Sequence, residues 1–102
     1  MLTHQVYFWL KDPKSSEART KLLKGLHSLL TIENISSGHI GTPAVTAARD
    51  VVDHSFTFAY YTTFDSVKDH EIYQTHPVHL KFVEECGSLW EKVQVYDYSR
   101  TD

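Results

Sequence analysis

Cysteine occurs once in this chain of 102 residues, proline three times and glycine four times. With Cys86 alone, no disulfide can form within the chain, so a reducing compartment is expected and the fold must hold by packing. Three scattered prolines and no low-complexity tract leave no linker, so residues 1–102 are read as one domain. No run approaches the ~20 apolar residues that cross a bilayer. The opening stretch Met1–Leu10 also lacks a positive n-region and a small-residue cleavage site. Neither a membrane nor secretion is therefore expected, and cytoplasm is. Ten basic residues against thirteen acidic ones give a net charge of -3 without a basic stripe, which disfavours nucleic acid as a partner. Missing too are a Gly-rich phosphate loop, a G-x-S-x-G elbow and an H-E-x-x-H helix, which sets aside nucleotide, serine-hydrolase and metalloprotease chemistry.

What remains is 41% apolar, enough for an ordinary but thin core. Leu2, His4, Val6, Phe8 and Leu10 alternate with Thr3, Gln5, Tyr7 and Trp9, the period of a strand. From Ser15 or Ser16, the recurrence of Ala18, Leu22, Leu26, Leu29 and Leu30 predicts an amphipathic helix. A short irregular strand is expected near residues 37–42, then a loop through residue 50. Residues 54–63 alternate again, with His54, Phe56, Phe58 and Tyr60 on one side. Ser66 to Asp69 fits a capping box that opens a short helix, which must stop or bend at His76 before Pro77. Beyond it, His79, Phe82, Cys86, Leu89 and Trp90 share one helical stripe, and residues 92–98 alternate as a last strand.

The order β-α-β-β-α-β predicts an α+β, ferredoxin-like sheet with its helices on one face. The other face then carries Tyr7, Trp9, Tyr61, Tyr96 and Tyr98, an aromatic patch larger than monomers usually expose. A homodimer formed sheet against sheet is expected, so the chain itself is the expected partner.

Four ionisable groups interrupt the face assigned to the helices: His4, His54 and Asp97 on strands, and His79 from the helix side. His4 and His54 open antiparallel strands and so start at opposite ends, with their separation left open. Paired with His79, Asp97 would hold one imidazole nitrogen while the other faces a cavity, the arrangement of a general base. A buried structural hydrogen bond would satisfy the same two residues. Tyr73, at the end of the short helix, is placed to donate to a substrate carbonyl, or simply to cap the core. His76 and His79 are three apart, but no Cys cluster or suitably spaced Glu accompanies them, so no metal and no cofactor is expected. His27, His39 and His70 read as surface histidines, and Cys86 as a core residue.

Three segments taken together, His4–Lys11, Tyr73–His79 with its H-P-x-H step, and Trp90–Tyr98 ending in V-x-V-x-D-Y, resemble the stress-responsive A/B barrel (Dabb) family over nearly the whole chain. The resemblance implies a ferredoxin-like subunit that pairs into a dimeric α/β barrel. In a plant polyketide cyclase of that family, a histidine of H-P-x-H is the base and a tyrosine polarises the substrate; the matching positions are His79 and Tyr73. It further implies that His4 and His54 line the pocket and that Asp97 belongs to the site. Phe56 and Phe58 are expected to face the same pocket, where their bulk would take up substrate volume. The resulting expectation is a small polar pocket that binds a carbonyl compound and moves a proton through His79. Two alternatives stand beside it: a non-catalytic, stress-associated structural dimer, and, by fold analogy alone, a cofactor-independent or haem-related monooxygenase.

Overall fold

In the computed structural model, which describes residues 1–102, the first alternating segment forms strand β1 (Leu2–Leu10). Its even-numbered side chains are all buried, among them His4. Helix α1 (Ser16–Leu29) starts where the Ser15 hydroxyl oxygen accepts a hydrogen bond from the Ala18 amide at 3.1 Å. Leu22, Leu26 and Leu29 recur one turn apart on its inner face, and each such fully buried side chain contributes about 1.5–3 kcal/mol. Strands β2 (Ser37–Gly41) and β3 (Phe58–Phe64) follow.

Helix α2 (Val67–Thr75) is capped by Ser66, whose oxygen accepts from the Asp69 amide at 3.1 Å. The Asp69 carboxylate answers the Ser66 hydroxyl rather than the Ser66 backbone amide, a variant of the capping box. His76 then takes the extended conformation that a following proline favours, with ψ 139. The same residue caps helix α3 (Pro77–Cys86): its Nδ1 accepts from the Val78 amide at 3.1 Å. Strand β4 (Trp90–Ser99) ends the fold.

The strands form one antiparallel sheet in the order β2-β3-β1-β4, with β1 and β3 central. The helices pack on the face that carries Val6, Phe8 and Tyr60. Gly25 lets α1 and α3 approach closely, since a Cβ there would lie 2.8 Å from Cys86 Sγ and 2.9 Å from the Phe82 ring.

Two expectations need correction. The sheet is not closed into a barrel: β2 and β4 are free edges of a four-stranded open sheet. Closing a barrel with a filled interior takes about eight strands, and four twisted strands leave their ends far apart. The second correction concerns β3, which begins at Phe58 and not at His54. Thr57 leaves the ladder by turning its amide to the Phe8 carbonyl and its hydroxyl oxygen to the Leu10 amide, and this breaks the alternation. Phe56 accordingly lies on the opposite side of the sheet from Phe58, with its ring 5.1 Å from Tyr7. Val93 and Val95 lie on the helix-bearing face but stay 42% exposed, because the helices stop short of the edge strand β4.

The far face carries the expected aromatics, and Phe56 joins them. Register places Tyr61 and Tyr96 on either side of Gln5, with Tyr7, Trp9 and Tyr98 on the same face. Tyr96 and Tyr98 are more than half exposed. No helix is long and apolar enough to cross a membrane.

Candidate functional site

The uncovered strip beside β4 leaves a cavity of about 140 Å³ between the sheet and the helices. At its polar end four side chains from four elements converge: His4 from β1, Tyr60 from β3, Tyr73 from α2 and His79 from α3. Alternation turns His4 and Tyr60 toward the helices, while the helical stripes bring Tyr73 and His79 down onto them.

Asp97 does not hold His79. Its carboxylate lies 2.5 Å from His4 Nδ1, because the β1/β4 register sets His4 directly opposite Asp97 on the same face. The carboxylate is an acceptor, so Nδ1 carries the proton of this contact and Nε2 is the ring nitrogen that it leaves unengaged. His79 sits on α3, with its ring 4.9 Å from Tyr73 and its buried Nδ1 without a hydrogen-bond partner. Burial lowers the pKa of His79, and the nearby His4 and His70 lower it further, so its imidazole is neutral at pH 7.

Two phenols complete the polar end. Tyr73 donates to the Tyr60 hydroxyl at 3.0 Å. Burial pushes Tyr73 up to about 12. Burial, followed by the charge of Tyr73, raises Tyr60 well beyond that range. Both hydroxyls stay protonated, and one hydrogen bond between them leaves one proton for a bound oxygen.

The remaining expectations divide. Phe58 is buried in the core, but it does not line the cavity. His54 and Phe56 lie outside the cavity because residues 54–56 precede the ladder; His54 Nε2 instead meets the Thr46 hydroxyl at 2.8 Å. Two residues went unread. His70 was assigned to the surface, yet its ring centroid lies 4.7 Å from that of His4. Its pKa is lowered, chiefly by burial and then by His4. The spacing of His70 and Tyr73, three apart on α2, was the available signal. Tyr60 shared the alternation of Phe58 and could have been read from it.

His4, His70 and Asp97 each present one ligating atom within 4.8 Å of the others, a donor set of two imidazoles and one carboxylate. Metal ligands held about 2.1 Å from an ion stand roughly 3 Å apart at their closest. Here His4 and Asp97 are in direct hydrogen-bond contact.

The model of the stress responsive A/B barrel domain matches residues 2–100. The chain belongs to this family. Among curated relatives of this Dabb chain, olivetolic acid cyclase from Cannabis sativa is 34% identical over 47 residues, a match covering 46% of this chain and 46% of the cyclase. The matched stretch thus spans under half of either protein. Two plant structures are similar over almost their whole length. One is At3g17210 from Arabidopsis thaliana, 27% identical with a TM-score of 0.80, covering 100% of this chain and 97% of that one. The other is the hydroxynitrile lyase from Passiflora edulis, 28% identical with a TM-score of 0.78, covering 95% of this chain and 90% of the lyase. A protein from Bacteroides fragilis described as dimeric and ferredoxin-like is 21% identical, with a TM-score of 0.72, covering 97% and 95% of the two chains. At that identity the likeness is one of fold.

Proposed function

We propose that this Dabb protein binds a small carbonyl compound, or an adduct of one, and catalyses a proton transfer on it. The observation that carries this reading is the convergence of His4, Tyr60, Tyr73 and His79 on one cavity, with His79 neutral and its Nδ1 unpartnered. A neutral imidazole has a lone pair to accept a proton at pH 7. His79 is the base in this reading. The phenol proton left over by the Tyr60–Tyr73 pair steadies the carbonyl oxygen as charge develops there. Asp97 acts through His4, whose tautomer and orientation it holds, so that Nε2 is free to position the ligand.

A polyketide chain is a poor match for a cavity of about 140 Å³, well under the ~300 Å³ of an ordinary ligand pocket. Cleavage of a small hydroxynitrile suits it better and agrees with the likeness to the Passiflora lyase. In that reaction the base takes the hydroxyl proton, the C–C bond to the nitrile breaks, a carbonyl forms, and cyanide leaves to collect the proton. The test is release of cyanide from acetone cyanohydrin, measured above the spontaneous rate. His79→Ala should lower that rate by about 10²–10⁴-fold. Undiminished turnover in the variant sinks the role of His79.

The same reading includes a homodimer joined through the face of Tyr7, Trp9, Tyr61, Tyr96 and Tyr98. Its support is the exposure of Tyr96 and Tyr98 beside a cation-π contact of Lys92 on Trp9 at 4.4 Å.

A further inference from the structure

We infer that the ring cluster Trp90–Phe82–Phe8 is the specificity-determining wall of the cavity, limiting the length of its occupant's hydrocarbon part. The inference rests on the proposed reading of the cavity as the substrate site and adds the size and shape of what enters. The cavity is polar at one end only. From His4 and Asp97 the β1/β4 register runs through Val6–Val95 and Phe8–Val93 to Leu10–Trp90, so the apolar end lies several residues along the strands from the imidazoles. A ligand held by its oxygen at His4, Tyr60 and His79 must lay its hydrocarbon part along Val95 and Val93, toward Trp90.

There the path ends in three rings. Phe82 and Trp90 stack with centroids 5.7 Å apart and planes 27° from parallel, and Phe8 closes on Trp90 at 5.1 Å. Phe8 and Phe82 are buried and held from both sides, Phe82 by its place beneath Gly25. Phe82 cannot swing aside without disturbing the α1–α3 contact. Trp90, at the start of the edge strand, is the half-buried member and the one whose removal lengthens the cavity with least disturbance. The distance along β1 and β4 from the imidazoles to these rings sets the length of hydrocarbon that fits.

The test uses unreactive ketones, so that it reads the wall without requiring turnover. Binding of 2-pentanone and 2-octanone is measured through the NMR shifts of His4, His79, Val93 and Val95, in the wild-type chain and in Trp90→Val. In an open apolar groove each added methylene would tighten binding about fourfold. The wall predicts the reverse: 2-octanone binds the wild-type chain at least tenfold more weakly than 2-pentanone, and Trp90→Val abolishes or inverts that ratio. Tighter binding of 2-octanone to the wild-type chain overturns the inference, as does a ratio unchanged in Trp90→Val or no binding of either ketone. Should Trp90→Val fail to fold, Trp90→Leu, which keeps an apolar contact, serves in its place. A wall that sorts ketones while acetone cyanohydrin stays untouched would leave the size limit standing and remove the proposed chemistry.

Discussion

Asp97 Oδ1 and His4 Nδ1 meet at 2.5 Å across two adjacent antiparallel strands, with 93 residues of chain between them. The bond ties a nearly buried imidazole to a carboxylate whose own side chain is 43% exposed. One partner therefore faces the cavity and the other reaches water, which lets the pair orient a ring without burying an ionised group completely.

Asp97→Asn can accept through its oxygen or donate through its nitrogen, so it no longer fixes the proton on His4 Nδ1. The expected result is a mixture of His4 tautomers in 15N spectra and a loss of about 0.5–1.5 kcal/mol of stability, kept small by the exposure of Asp97. A single unchanged tautomer would show that Asp97 does not orient the ring.

Stability should depend on pH through His70 and His79, whose folded-state pKa values burial lowers. The unfolded chain takes up these protons near pH 6.5, where the folded chain still resists them. Stability is thus fully present above that pH and declines as pH falls through it toward the folded-state values. Urea midpoints between pH 8 and 5 should drop, and the drop should shrink in His79→Gln. A midpoint that is flat or rises toward pH 5 contradicts this assignment.

Gly25→Ala places a methyl group 2.8 Å from Cys86 Sγ and 2.9 Å from the Phe82 ring, so that both side chains must shift. A loss of about 1–3 kcal/mol follows, seen as a melting temperature lower by roughly 4–8 °C per kcal/mol in a domain of this size. An unaltered melting temperature would mean that the α1–α3 contact yields more easily than its packing implies.

If the aromatic face joins two copies, the wild-type chain should scatter light as twice its 11.8 kDa. Replacing exposed Tyr96 and Tyr98 together by Glu should return it to one copy, because like charges would then face each other across the contact. Folding should survive, since neither residue belongs to the core. A wild-type monomer at 100 μM refutes the dimer.

Much of the fold was legible because its signals are local. The alternation in β1, the leucine spacing of α1, the Ser15 and Ser66 caps and the break at His76–Pro77 all act within a few residues. The aromatic face followed from period two alone. Alternation failed at His54 and Phe56, where Thr57 turns its hydrogen bonds onto Phe8 and Leu10 and changes which side of the sheet the preceding residues occupy. His4, Tyr73, His79 and Asp97 were expected close together and are, but Asp97 pairs with His4 and not with His79.

Residue order alone thus determined most of the elements and the kinds of side chain available to the site, since each depends on neighbours along the chain. Only the tertiary structure decided that Asp97 bonds His4 rather than His79, that His70 and Tyr60 join the cluster, and that the sheet stays open. Those outcomes depend on strand register and on where the helices stop short of β4. Contacts between distant residues set both, and no local pattern encodes them.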